Sequence, residues 1–153
     1  MSSIFGADPG SVSAAWAFIP WDLEGGVDTA IAEDMPVANK MVDGRALSRI
    51  LDEHRPILAV IERVSAMPKQ GVSSSFRFGQ GYGIILGVLA SKDIRIIDVA
   101  PGVWKKHFRL TADKEKSRAL AIKRFPRINF SRKKDANRAE AALLALWLKE
   151  TRQ

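Results

Sequence analysis

Residues 57–61 read Ile-Leu-Ala-Val-Ile, and the next residue is Glu62. Five apolar residues without alternation describe a strand buried on both faces. Such a strand belongs in the middle of a sheet covered by helices on both sides, and it is predicted over Ile57–Val64. The start of the chain has the same form. Ser3–Ala7 reads as a short buried strand, and Asp8 stands at its carboxyl end with Pro9-Gly10 directly behind it. Asp-Pro-Gly is good turn chemistry in its own right, because Pro fixes φ and Gly supplies a positive φ. Asp8 therefore has two readings, a turn former or a working acid. In open α/β sheets ligands gather at the carboxyl ends of the strands, and two strands here each present an acid at that end.

The remaining pattern alternates. Ser13–Ile19 is apolar and β-compatible, so the Pro9-Gly10 turn closes a hairpin with the first strand. Residues 20–26 are a loop, and Val27–Ala32 is a candidate third strand. Leu47, Ile50 and Leu51 share one face of a helix predicted over Asp43–His54, with Pro56 beyond its end. A polar loop follows Glu62, then a glycine-rich helix over Ser75–Ser91. Gly79, Gly81, Gly83 and Gly87 each weaken that helix by about 1 kcal/mol relative to alanine, which points to close approach of its backbone to the sheet or to a partner. Ile94–Val99 is a strand. Val103–Phe108, Asp113–Phe125 and Asp135–Glu150 are helical. A hairpin followed by alternating helices and strands predicts an α/β fold, a mixed sheet flanked by helices. At 153 residues, without repeats or a long linker, the chain reads as a single domain over 1–153.

Composition excludes several chemistries. There is no cysteine, so disulfides, thiol catalysis and cysteine zinc sites are out, and a reducing compartment fits. The two histidines, His54 and His107, cannot make a histidine-rich metal site. Neither a secretory leader nor a membrane span is legible, so a secreted protein is not expected. The net charge of +7 is concentrated. Between Trp104 and Lys134 lie Lys105, Lys106, Arg109, Lys114, Lys116, Arg118, Lys123, Arg124, Arg127, Arg132, Lys133 and Lys134, opposed only by Asp113 and Glu115. A solvated helical surface would account for part of this. One-sided charge of such density also favours a polyanion, through phosphate contacts and counterion release.

A third acidic group stands in Lys-Lys-Asp-Ala-Asn-Arg-Ala-Glu-Ala-Ala-Leu-Leu-Ala-Leu-Trp-Leu, residues 133–148. On a helix, Glu140 shares a face with Ala136, Leu143, Leu144 and Trp147. A carboxylate on a core-facing stripe is costly without a partner. Asp135 and Glu140 favour a helix N-terminus in any case; they can also project from it toward the sheet edge. Asp8, Glu62, Asp135 and Glu140 together form an oxygen-only donor set, which suits Mg²⁺ or Mn²⁺. Two such ions, roughly 4 Å apart, activate water and stabilise the leaving oxygen at a phosphodiester. Acids and positive charge thus converge on metal-dependent cleavage of nucleic acid.

The stretches Ile-Phe-Gly-Ala-Asp-Pro-Gly-Ser-Val-Ser-Ala-Ala-Trp-Ala-Phe-Ile (4–19), residues 58–90, residues 96–108 and residues 133–147 in combination resemble the RuvC-like Holliday-junction resolvases of the ribonuclease H-like superfamily. The glycine-rich helix is most similar to phage, bacterial and plant-chloroplast members. The resemblance implies a five-stranded mixed sheet, a homodimer and two Mg²⁺ ions per site. It also implies symmetric nicks in four-way junction DNA that leave 5′-phosphates. Asp8, Glu62 and Glu140 match the family's acids, and Asp135 is assigned the fourth position. Many members carry their last two site residues three apart. Here the residue three before Glu140 is Asn137, and Asp135 lies five before, about 140° around a helix. Many relatives also carry an aromatic wedge shortly after the central-strand acid; here it is absent or replaced by Met67 or Phe76. Lys69, Gln70, Arg77, Lys105, Lys106, Lys133 and Lys134 are the expected DNA contacts, and Gly79–Ala90 is the expected dimer helix. Two other readings keep the fold: a nuclease for RNA–DNA hybrid or other branched DNA, and a non-catalytic nucleic-acid-binding module.

Overall fold

The computed structural model describes residues 2–10, 13–22, 27–63, 65, 69 and 71–152. Its elements are β1 (Ser3–Asp8), β2 (Ala15–Pro20), β3 (Ile31–Asp34), β4 (Val37–Ala38), β5 (Met41–Val42), α1 (Gly44–His54), β6 (Leu58–Glu62), α2 (Val72–Ser91), β7 (Arg95–Val99), α3 (Pro101–His107), α4 (Lys114–Arg124) and α5 (Ala136–Thr151). Five strands form one mixed sheet in the order β3-β2-β1-β6-β7. β1 and β2 are an antiparallel hairpin, and β3 adds antiparallel to β2. β6 runs parallel to β1, and β7 parallel to β6.

Side chains alternate across this sheet. Ile4, Ala15, Ala17, Ile19, Val60 and Val99 face a core shared with α5, Trp104, Ala121 and Phe125. Phe5, Ala7, Trp16, Phe18, Ala59 and Ile61 face a second core with Leu47 and Leu51 of α1 and Ile85 and Leu89 of α2. Two covered faces explain why β6 reads as an unbroken apolar run. α5 lies against β1 and is apolar almost all round, as suits a helix buried on most sides. Its approach depends on Gly6. A Cβ on Gly6 would lie 2.2 Å from the carbonyl oxygen of Ala141 and 3.1 Å from Cβ of Ala145. Gly6→Ala is therefore expected to cost about 2 kcal/mol, as overpacking of a tight core does; a urea midpoint equal to wild type would show that α5 does not sit this close.

Three regions differ most from the sequence expectation. Val27–Thr29 is a 3-10 turn, and the edge strand begins only at Ile31. The ladder with β2 ends at the Phe18–Ile31 pair; continued, it would bring Thr29 opposite Pro20, which has no N–H to donate. The small β4–β5 hairpin was not foreseen. Its turn places Asn39 and Lys40 at φ of 52° and 62°, the left-handed pair of a tight hairpin turn, and lysine is not a residue that announces it. α2 starts at Val72, three residues before the expected Ser75. Of the expected starts, α1 keeps Asp43 as its cap, its carboxylate accepting from the N–H groups of Arg45 and Ala46 at 3.0 and 3.1 Å.

Candidate active site

The strand register brings the first two acids together. β1 pairs with β6 as far as Ala7–Ile61, so Asp8 and Glu62 are the next residues on adjacent parallel strands. Alternation then points both toward the α5 side, the face that holds Ile4 and Val60. Gly10 N–H donates to Asp8 Oδ1 at 3.1 Å, and Gly10 takes a φ of 39°. The turn reading and the acid reading of Asp8 are thus compatible: one carboxylate oxygen holds the turn. The other, Oδ2, is buried and has no hydrogen-bond partner among the described residues.

Glu140 reaches the same place from α5 and is 3% exposed. Its Oε1 accepts from Lys114 Nζ at 2.9 Å, and its Oε2 accepts from Ser117 Oγ at 3.0 Å. Lys105 Nζ lies 3.6 Å from Oε2. Lys114 Nζ also stands 3.8 Å from Asp8 Oδ2, beyond hydrogen-bond reach, and donates to Asn137 Oδ1 at 3.1 Å. Glu62 Oε2 accepts from the indole Nε1–H of Trp104 at 2.8 Å. Trp104 is fully buried in α3, which begins directly after β7. β7 pairs with β6 through Glu62–Val99, and this brings the start of α3 beside Glu62.

The electrostatics follow from crowding. Burial, with the nearby charges of Glu140 and Glu62, pushes the Asp8 carboxyl up to about 7, against the opposing pull of Lys114 and of the Gly10 N–H. Burial also raises Glu62, while the Trp104 hydrogen bond works the other way. For Lys114 burial acts to lower the ammonium, but Asp8, Glu140 and Glu62 outweigh it and hold it above its ordinary value. The charge of Glu140 helps to raise both Asp8 and Glu62, and carboxylates crowded in this way around one lysine are a site that attracts cations.

Asp135 does not join them. It is completely buried in the 3-10 turn before α5. Its carboxylate accepts from Arg132 N–H at 2.8 Å and from Arg132 Nε at 2.9 Å, with Arg138 Nε at 3.6 Å. Arg132 and Arg138 extend this cluster to Asp34 on β3, with Arg138 Nε donating to Asp34 at 2.8 Å. Asp135, the expected fourth ligand, is thus placed among the arginines toward the edge strand and not beside the other three acids. Asn137, three residues before Glu140, faces the acids instead. It shares Lys114 with Glu140, and its Nδ2 donates to Ser13 Oγ.

The expected DNA contacts fall in three places. Lys105 and Lys106 line an open crevice of about 640 Å³ with Arg109, beside Glu140. Lys133 and Lys134 are exposed and border a smaller hollow with Lys114 and Asn137. Lys69 and Arg77 are exposed on the α2 side. Gln70 and the wedge candidate Met67 lie outside the described residues; Phe76 is 66% exposed on the first turns of α2. Sequence reasoning missed Lys114, Trp104 and Ser117 as members of the site. Lys114 stood within the basic run, but nothing in its spacing separated it from its neighbours.

No family model matches the chain. Among curated proteins it is 30% identical to the crossover junction endodeoxyribonuclease RuvC of Afipia carboxidovorans over 111 residues, 67% of this chain and 63% of that protein. It is 28% identical to the RuvC of Nitratidesulfovibrio vulgaris over 121 residues, 74% of this chain and 70% of that one. The chain thus spans a little under two thirds of the first relative's length and somewhat more of the second's. This chain belongs to the RuvC-like family. Its fold is that of RuvC throughout. The Thermus thermophilus RuvC in complex with Holliday junction substrate superposes with a TM-score of 0.71 at 15% identity, covering 96% of this chain and 92% of that one. The Fowlpox virus resolvase superposes at 0.61 and 16% identity, with 97% of each chain covered. In this RuvC-like chain Asp8 and Glu62 end the adjacent strands β1 and β6, and Glu140 comes to them from α5. No described helix is long and apolar enough to cross a membrane.

Proposed function

We propose that this chain is a junction-cleaving DNA endonuclease, a Holliday junction resolvase acting as one nuclease domain. The observation that supports it most directly is the cluster of Asp8, Glu62 and Glu140 at the carboxyl edge of the sheet, in a chain whose relatives are named RuvC. The donor set suits divalent metal. It is all oxygen, it contains a buried carboxylate oxygen with no hydrogen-bond partner, and it already draws the ammonium of Lys114. Among the described residues no three acids converge closely enough in this conformation to cage an ion; Lys114 lies between two of them. Asp8, Glu62 and Glu140, with the amide oxygen of Asn137, are the groups that would hold Mg²⁺, two ions per site, with Mn²⁺ as a substitute. Such ions supply Lewis-acid polarisation of a phosphodiester and a water of lowered pKa.

The protein's own groups do the positioning. The Gly10 N–H fixes one oxygen of Asp8 and leaves the other pointing into the site. Trp104 fixes Glu62. Ser117 orients Glu140 from α4. Lys105 and Lys114 place two ammonium groups where a phosphate would carry its charge, and Lys106, Lys133, Lys134, Lys69 and Arg77 extend the positive surface toward the DNA arms. Such a protein would work where DNA is kept, in the cytoplasm or a DNA-containing organelle.

A homodimer completes the reading, because a four-way junction is close to two-fold symmetric and resolution needs two matched nicks. On α2, Gly79, Gly83 and Gly87 recur every fourth residue, and a Cβ on each would meet nothing within 4 Å. Only Gly81 of the string approaches another element, Val42 of β5 at 3.5 Å. The open stripe gives a second copy of α2 room for close contact. The expected mass in solution is that of a dimer; a monomer at micromolar concentration that stays one-to-one on a junction would refute it. The function is tested by offering the protein with Mg²⁺ a four-way junction, a linear duplex, a flap and an RNA–DNA hybrid. Paired symmetric nicks confined to the junction are expected. Preferred cleavage of the hybrid would replace this reading with a ribonuclease.

A further inference from the structure

Beyond Asp8, on the side away from Lys105 and Lys114, the chain forms a cleft of about 450 Å³. One wall is Pro9, Gly10, Ser13 and Ala14, one is the β4–β5 hairpin, and one is the first turns of α2. We propose that this cleft is a second nucleic-acid subsite, which holds the backbone of the strand continuing from the scissile phosphate. The proposal rests on the nuclease reading above and adds a site and residues to it.

Continuity with the acids is the first support. Gly10 lines the cleft and donates to Asp8 Oδ1. Ser13 lines it as well and accepts from the Asn137 amide. The cleft is therefore one of the surfaces that adjoin a phosphate held at Asp8, Glu62 and Glu140. Charge is the second support. The lining carries Lys40 and Arg77 and no acid among the described residues. Both cations are exposed, and neither forms an ion pair among those residues. Lys105 and Lys114, the two cations nearest the acid cluster, are by contrast already engaged by Glu140. Phe78 and Met41 add apolar surface beside the two charges, the combination that suits phosphates together with sugar and base faces.

The third support is that the hairpin is held in place. Lys40 sits in the tight left-handed turn between β4 and β5. Asp43 N–H, just after β5, donates to Pro36 O at 2.8 Å and closes the hairpin base. Gly81 permits α2 to pack on Val42. The tip lysine is thereby carried on a short braced element opposite Arg77.

The test uses the whole protein and a four-way junction in Ca²⁺, with affinity measured across salt. Lys40→Asn removes the charge and keeps a residue that tolerates positive φ; Arg77→Gln removes the second charge. The slope of log K against log salt is expected to flatten by about 0.7 to 0.9 for each, and by the sum for the double variant. Lys92→Gln is the control. It caps the far end of α2, about 22 Å from Arg77 by helix length, and is paired with Asp52 at 2.7 Å; its slope should equal wild type. Ethylation interference should show the lost contacts at phosphates within a few nucleotides of the nick. A double variant that binds the junction with an unchanged slope, or loses contacts only at distant phosphates, overturns the cleft and leaves the nuclease reading standing. A wild-type protein that neither binds nor nicks any junction overturns both.

Discussion

Asp8→Asn is expected to lower junction nicking about a thousandfold or more, roughly 4 kcal/mol of barrier, and to leave junction affinity in Ca²⁺ unchanged or slightly tighter. The substitution is nearly isosteric. An amide oxygen can still accept from Gly10 N–H, so the turn survives. The other oxygen of Asp8 is buried without a hydrogen-bond partner, beside Glu62 and Glu140. Its replacement removes negative charge from a cluster that faces a polyanion, so binding has no reason to weaken. The fold also loses a costly buried charge, and the melting temperature of the metal-free protein should hold or rise. The readouts are a nicking time course in Mg²⁺, a binding titration in Ca²⁺ and a thermal melt in chelator. Wild-type nicking by the variant would return Asp8 to the role of a turn residue alone.

Asp135→Ala should show the opposite signature, a loss of stability of about 3 kcal/mol with near-normal nicking per folded molecule. The carboxylate is fully buried and is the acceptor around which Arg132 and Arg138 assemble. Removing one member of a buried ion cluster strands the others. Although burial by itself would raise Asp135, the hydrogen bonds from Arg132 and the charge of Arg138 more than offset it and hold the carboxyl below its ordinary range. A depressed folded value contributes stability that is fully present above the unfolded value of about 3.9. That contribution is lost as the pH falls through the lower folded value. The gap in urea midpoint between wild type and variant is therefore wide at pH 7 and narrows below about pH 4. Asp34, at the other end of the same arginines, is lowered by its hydrogen bond to Arg138 and should act in the same direction. Its greater exposure makes the effect smaller. Unchanged stability together with lost nicking would put Asp135 back among the acids.

These two aspartates show where sequence reading succeeds and where it stops. Both stand at the end of a local element and both read as site candidates. Asp8 and Glu62 could be paired from sequence, because each ends an apolar run and a strand's carboxyl end is a local property. Glu140 was legible as a carboxylate on an apolar helical face. The resemblance assigns Asp135 the fourth position, five residues before Glu140. Its direction depends on where α5 begins, and the 3-10 turn at Lys133–Asp135 sets that.

The hairpin start, the buried central strand, the oxygen-only acid set and the concentration of positive charge were properties of the sequence itself. Each follows from residue type and spacing along one segment: apolar periodicity, turn chemistry, or a count of charges. The tertiary structure alone decided the partners. It brought Trp104 to Glu62 across 42 positions and Lys114 to Glu140 across 26. It also turned Asp135 to Arg132 and Arg138 while aiming Asn137 at the acids. Periodicity places a side chain on a face of its own element. Which group it meets depends on the register between strands and on the close seat of α5 over Gly6, and those are set by packing between segments far apart in the chain.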